Sequence, residues 1–196
     1  MTRPPPIAPR AANQTGLSAR PWGRPVRPTR RQLLRQWLAV SALAGASRVW
    51  ALDAPKAKVV LSVVGLVGNT NADQRADFDM AMLEALPQHS FSTSTPWFKT
   101  ARRFSGPLLR DVLAAAGSRA GKTLRAVALN DYKVEIPVED ALRHKVLMAT
   151  RLDGAQMPVR EKGPLFIIYP YDENADLRSE RFYSRSAWQL RTLEVR

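Results

Sequence analysis

Not one aspartate or glutamate occurs before Asp53. Residues 1–51 instead hold nine arginines, at positions 3, 10, 20, 24, 27, 30, 31, 35 and 48. The 145 residues that follow hold 21 Lys and Arg against 17 Asp and Glu, a net charge of +4. The chain therefore reads as a basic leader and one folding domain that starts near Leu52. The formal charge of +13 and the basic isoelectric point by themselves point to nucleic acid or an anionic membrane. Their concentration in the leader removes that reading for the domain, whose mixed charges describe an ordinary solvated surface.

The leader has the order of an export signal. Its basic part ends in Arg30-Arg31-Gln32-Leu33-Leu34-Arg35, an apolar stretch runs from Trp37 to Ala46, and Val49-Trp50-Ala51 offers a cleavage site of small-x-small type. The paired arginines followed by two leucines resemble the twin-arginine consensus, and Arg48 after the apolar region fits that class too. Only 12 residues separate Arg35 from Arg48. A spanning helix needs about 20, so no permanent membrane anchor is expected. The expectation is a cleaved leader over residues 1–51, a domain over residues 52–196, and a periplasmic destination. The chain has no cysteine, which removes disulfides, thiolate metal sites and thiol nucleophiles. A domain of this length buries an adequate core without such staples.

Hydrophobic periodicity gives a coarse element order. Residues 59–65 are β-branched and read as a strand, followed by the turn-rich loop 68–73. Asp77 is placed as the cap of a helix carrying Phe78, Met82, Leu83 and Leu86, ended by Pro87. Residues 90–95 read as a strand. Ser105-Gly106-Pro107 reads as the opening of a helix with Ser105 as cap, Leu108, Leu109, Val112, Leu113 and Ala116 as its buried stripe, and Gly117 as its stop. Residues 124–129 and 132–136 form a hairpin around Asn130-Asp131, and residues 137–142 begin a short helix. Asp153-Gly154 marks a second hairpin between residues 146–151 and 155–159. Residues 163–170 form a buried strand, 172–179 a charged loop, and 188–195 a last strand. Strands outnumber helices and are joined by hairpins as well as by helices, so the expected class is α+β, a single mixed-sheet domain.

Few motifs carry chemistry. Gly117-Ser118-Arg119-Ala120-Gly121-Lys122-Thr123 approaches a phosphate-binding loop, but one residue is missing between its glycines. It also follows a helix and precedes a strand, the reverse of what phosphate binding requires. His89 and His144 are far apart, and no spacing suggests zinc. No serine occupies a Gly-x-Ser-x-Gly elbow, and no carboxylate pair suggests glycoside hydrolysis. Two clusters remain: Thr93-Ser94-Thr95-Pro96-Trp97 ahead of Arg102-Arg103, and Arg178, Arg181, Tyr183 and Arg185. Arginines beside aromatic and hydroxyl groups can hold an oxyanion or phosphate, and the competing reading is a solvated basic face.

Taken in order, several segments resemble the molybdopterin-binding domain of the sulfite oxidase type. They are Phe104-Ser105-Gly106-Pro107-Leu108-Leu109-Arg110-Asp111-Val112-Leu113, then Tyr132-Lys133-Val134-Glu135-Ile136-Pro137 with Glu139-Asp140-Ala141. Leu147 to Pro158 around Asp153-Gly154, Gly163-Pro164-Leu165, and the closing residues 186–195 complete the set. The resemblance implies an α+β fold of the sulfite oxidase molybdopterin-domain type and a molybdenum–molybdopterin cofactor held partly by a cysteine thiolate. Counting back from Phe104-Ser105-Gly106 places that cysteine at Ser94 or Thr95, so the thiolate is absent. The resemblance implies Ser94 or Thr95 at the metal, with Ser94 as the nominal ligand. It also implies Arg181 and Arg185 at the pterin phosphate, and Trp97 and Tyr132 in the pocket wall. Trp188 stands in place of the family's second terminal lysine.

Two functions follow from this departure. One is an exported molybdopterin-dependent oxidoreductase-like protein with weak or no redox activity. The other is a non-catalytic periplasmic module on the same fold, without cofactor, that binds a small anion or a periplasmic protein partner.

Overall fold

The computed structural model describes residues 52–118 and 121–196. The leader and its cleavage site lie outside the described residues. No described helix is long and apolar enough to cross a membrane.

Eleven strands and four short helices make up the described fold. The first strands are β1 (Val59–Gly65), β2 (Arg75–Asp79), β3 (Gln88–Thr93) and β4 (Arg102–Pro107). After them come β5 (Thr123–Ala128), β6 (Lys133–Pro137) and β7 (Leu147–Ala149). The series ends with β8 (Arg151–Leu152), β9 (Ala155–Gln156), β10 (Phe166–Ile168) and β11 (Leu190–Val195). The helices are α1 (Met80–Ala85), α2 (Leu109–Ala115), α3 (Val138–Arg143) and α4 (Glu180–Arg185). The main sheet has the order β2-β1-β11-β5-β6, and two smaller sheets pair β10 with β7 and order β3-β4-β8-β9. Only β1 and β11 run parallel, with Ser62 opposite Thr192 and Val64 opposite Glu194. The mixed α+β class is thus the observed one.

Alternation explains the main sheet. In β5, Leu124, Ala126 and Ala128 are buried while Thr123, Arg125 and Val127 are half-exposed, so every second side chain enters the core. Leu61 and Val63 of β1 and Leu190, Leu193 and Val195 of β11 join the same continuous core as Phe104, Leu109, Val112 and Phe166. The β5–β6 hairpin turns through Asp131 at φ 63°, which an aspartate tolerates. The second hairpin turns through Asp153 at φ 49° and Gly154 at φ 85°, the primed turn that the dipeptide announces.

Three expectations are corrected. The cap of α1 is Asp79, which accepts the Met82 N–H at 2.9 Å, and not Asp77. Asp77 and Phe78 belong to β2, where Asp77 accepts from Ser62 Oγ at 2.6 Å and Arg75 Nε at 2.8 Å. The Met82 N–H, with those of Lys56 and Ala57, holds the Asp79 carboxyl below the usual carboxylate range. Second, Ser105-Gly106-Pro107 ends strand β4 instead of opening a helix; α2 begins after Leu108, which has no capping side chain. Third, residues 146–151 do not form one arm of a hairpin: β7 pairs with β10, and only β8 pairs with β9.

Gly106 marks where β4 passes the β7–β8 segment. A Cβ there would collide with the Met148 carbonyl oxygen and reach Ala149 Cα at 3.0 Å, and both obstacles are backbone. Gly106→Ala is expected to destabilise the domain by about 2 kcal/mol or more, read as a lower denaturation midpoint. Gly154→Ala meets no atom within 4 Å, so only its left-handed φ opposes it and its loss is expected to be about 1 kcal/mol.

Candidate functional site

Trp97 stands at the centre of an aromatic cluster. Its ring centroid lies 5.4 Å from Trp188, 5.6 Å from Phe166, 6.1 Å from Tyr183 and 6.5 Å from Tyr171. The planes of Trp188 and Tyr183 are inclined to it by 72° and 80°, the edge-to-face arrangement that aromatic pairs favour. Such steeply inclined rings form walls and not a stack. They enclose one side of a cavity of about 510 Å³ whose lining includes Trp97, Tyr132, Tyr183, Trp188, Glu180 and Asn130.

Each wall has a local cause. Glu180, Tyr183 and Ser184 share one face of α4 at helical spacing, while Phe182 turns into the core. The Asn130-Asp131 turn brings Tyr132 to the opposite side, where its hydroxyl donates to the Ser184 carbonyl at 2.9 Å. Lys162 sits with its ammonium 3.9 Å from the Trp188 centroid and 5.9 Å from that of Trp97. Burial lowers its pKa. It makes no ion pair among the described residues.

The position of α4 is fixed from below. Arg185 Nη1 lies 2.9 Å from Asp140 Oδ2, and that carboxylate also accepts the Tyr169 hydroxyl at 2.8 Å. The two charged side chains are only 17% and 10% exposed, so this pair belongs to the interior. Burial, then the neighbouring Asp140 charge, raises the Tyr169 phenol well above its ordinary range. Burial raises Tyr171 as well, although its hydroxyl shares a 2.5 Å hydrogen bond with Ser186 Oγ.

The six residues singled out in the sequence are distributed over four places. Trp97 and Tyr132 share the aromatic cavity. Ser94 and Thr95 lie just beyond β3, in a separate recess with Asp172, Arg178 and Tyr183. There Asp172 accepts the Ser94 N–H at 2.7 Å and Arg178 Nη2 at 3.2 Å, and its own N–H donates to the buried Thr93 hydroxyl at 3.1 Å. Arg181 lies over the Phe182 ring at 4.6 Å, beside a third recess that holds His144 and Asn174. Arg185 is engaged by Asp140. Sequence reading missed Glu180, Asn130 and Lys162. Only the spacing of Glu180, Tyr183 and Ser184 could have signalled one of them, since α4 was not expected as a helix.

A family model described as oxidoreductase molybdopterin binding domain matches residues 55–172. The chain belongs to that family. Among solved structures, the sulfane dehydrogenase SoxCD from Paracoccus pantotrophus superposes with a TM-score of 0.54 at 18% identity. The match covers 74% of this chain and 40% of that one, so this member of the family spans about two fifths of that relative's length. At this identity the likeness is one of fold. No curated protein matches the chain.

The residues of this family member can be tested against the family's cofactor. No group of three or more His, Asp or Glu among the described residues is placed to hold a metal ion. At Ser94, where the resemblance puts the metal, the side chain offers a hydroxyl and no thiolate, and the backbone amide is already held by Asp172, itself paired with Arg178. The aromatic cavity could accept a flat ring, but its one charged lining residue is Glu180, which opposes a phosphate. The donor set therefore does not fit a thiolate-held molybdenum–pterin, and no chemical step is derived through that group.

Removing one partner of the buried pair leaves the other charge uncompensated. Arg185→Met is expected to cost about 3 kcal/mol, more than replacing an exposed arginine such as Arg160, as urea denaturation would show. Alkaline pH gives a second test. The raised phenols of Tyr169 and Tyr171 stay protonated in the fold, whereas the unfolded chain ionises them near pH 10. Their contribution is therefore complete below about pH 10 and is lost as pH rises through the interval up to the folded-state values. Each tyrosine steepens the loss by up to ~1.4 kcal/mol per pH unit. Tyr169→Phe should flatten that alkaline slope, as urea denaturation at stepped alkaline pH would show.

Proposed function

We propose that this molybdopterin-domain family member is an exported binding module, which captures a small ligand in the cavity between Trp97, Tyr132, Tyr183 and Trp188 and carries out no molybdenum redox turnover. The observation that supports this reading most is the engagement of the expected cofactor contacts by the protein itself. Arg185 pairs with Asp140 inside the fold, and the Ser94 amide is held by Asp172. A cavity of about 510 Å³ lies within the size range of small-molecule sites, and its walls are braced by the aromatic cluster and the Tyr132–Ser184 hydrogen bond.

The twin-arginine resemblance of the leader supports export, a route that carries folded proteins. The same route also carries cofactor-loaded enzymes, so the redox reading is the alternative that a measurement must separate. The protein purified from its native periplasm is expected to contain no stoichiometric molybdenum and to release no fluorescent pterin on denaturation. A stoichiometric yield of both, under conditions that load other molybdoenzymes, would establish the redox alternative. Ser94→Ala and Thr95→Ala are expected to leave ligand binding within about twofold of the parent, because neither residue lines the aromatic cavity.

A further inference from the structure

We propose that the aromatic cavity takes a quaternary ammonium ligand, held by the rings of Trp97, Tyr132, Tyr183 and Trp188 with Glu180 as its counter-charge. The proposal rests on the ligand-binding reading above and names the chemistry of that same site.

Three observations carry it. The first is the wall geometry. Trp97 is inclined by 72° to Trp188 and by 80° to Tyr183, so rings that line one space meet at steep angles, as the sides of a box do. Aromatic rings carry negative charge on their faces, and a box of them favours a soft cation that needs no hydrogen bonds. The second is the charge of the lining. Glu180 is its single charged member, stands exposed on the first turn of α4, and makes no ion pair among the described residues. A carboxylate left without a partner beside aromatic faces complements a cation and repels an anion.

The third is Lys162. Its ammonium lies 3.9 Å from the Trp188 centroid with no carboxylate partner among the described residues, so the rings themselves attract a cation in this fold. Desolvation lowers its pKa, which is the cost that the ring contact opposes. Lys162 does not line the cavity; its charge opposes a second cation beside the same rings, and the Glu180 carboxylate is the group that offsets it. An ammonium that keeps its N–H groups would need several acceptors to replace water, yet Asn130 Oδ1 already accepts the Tyr132 N–H, the Ser184 carbonyl the Tyr132 hydroxyl, and Ser186 Oγ is bonded to Tyr171; a trimethylammonium head needs none. The cavity is larger than such a head, so the ligand carries a further substituent.

The test compares choline with dimethylbutanol, its neutral carbon isostere, by isothermal titration on the full chain. Trp97 and Trp188 both line the cavity, so their share of the fluorescence of the chain's five tryptophans reports the same site. Choline is expected to bind about tenfold or more tightly than the isostere. Glu180→Gln is expected to weaken choline by about fivefold and leave the isostere unchanged; its exposed position leaves folding intact, as circular dichroism would verify. Phosphatidylcholine vesicles form a third arm: retention on them assigns the head group to a lipid, and its lack assigns it to a free solute, with the same trimethylammonium chemistry sustained by choline binding in either case. Equal affinity for choline and isostere, or no effect of Glu180→Gln on choline, overturns the ammonium assignment while the ligand-binding reading stands. Absence of binding by both probes also overturns it, and the molybdenum and pterin content of the native protein then decides the parent reading separately.

Discussion

The Asp140 carboxylate organises the functional half of the domain. Buried on α3, it receives a hydroxyl from β10's continuation at Tyr169 and a guanidinium from the last turn of α4 at Arg185. A single carboxylate thus joins three segments distant in sequence. Its charge is costly to bury, and only the combination of Arg185 and Tyr169 compensates it. With that link in place α4 has one position, and Glu180, Tyr183 and Ser184 present one side of the cavity. Trp97 then supplies the inner wall by contacts with Phe166 and Trp188.

Much of the fold was legible because local signals and burial agreed. The β5–β6 hairpin follows from Asn130-Asp131 between alternating runs, and the stop of α2 at Gly117 follows from a left-handed φ of 64°. The errors arose where one signal served two structures. Ser105-Gly106-Pro107 has the composition of a helix entrance, yet Gly106 is required by the close passage of Met148, and the segment completes a strand. Asp77 and Asp79 both precede the apolar stripe of α1. Only the strand pairing of Asp77 with Ser62 shows which one is free to cap. Residues 146–151 look like one strand but divide between two sheets, a decision made by long-range partners.

The candidate site was legible in its parts and not in its assembly. Trp97 and Tyr132, which the family resemblance puts together in a pocket wall, line one cavity. The same resemblance adds Ser94, Thr95, Arg181 and Arg185, and the fold distributes these four over other surroundings. Nothing in the local sequence says that Arg185 points at Asp140, because the partner is contributed by another helix. The family relationship fixes the frame, while the side chains that would hold the family's cofactor differ or are otherwise engaged. Family membership therefore fixes the scaffold of this chain and not its chemistry, which resides in a few grafted side chains.

The parallel pairing of β1 with β11 carries a consequence for how the domain is assembled. These neighbours at the middle of the main sheet come from opposite ends of the described chain, with Ser62 beside Thr192. Each outer hairpin, β1–β2 and β5–β6, can form by itself, but the sheet becomes continuous only when β11 is inserted between them. Closure of so large a loop is slow relative to hairpin formation. A chain emerging from the ribosome therefore keeps two unjoined apolar half-sheets until its final strand is made, and this interval is when it most needs protection from aggregation.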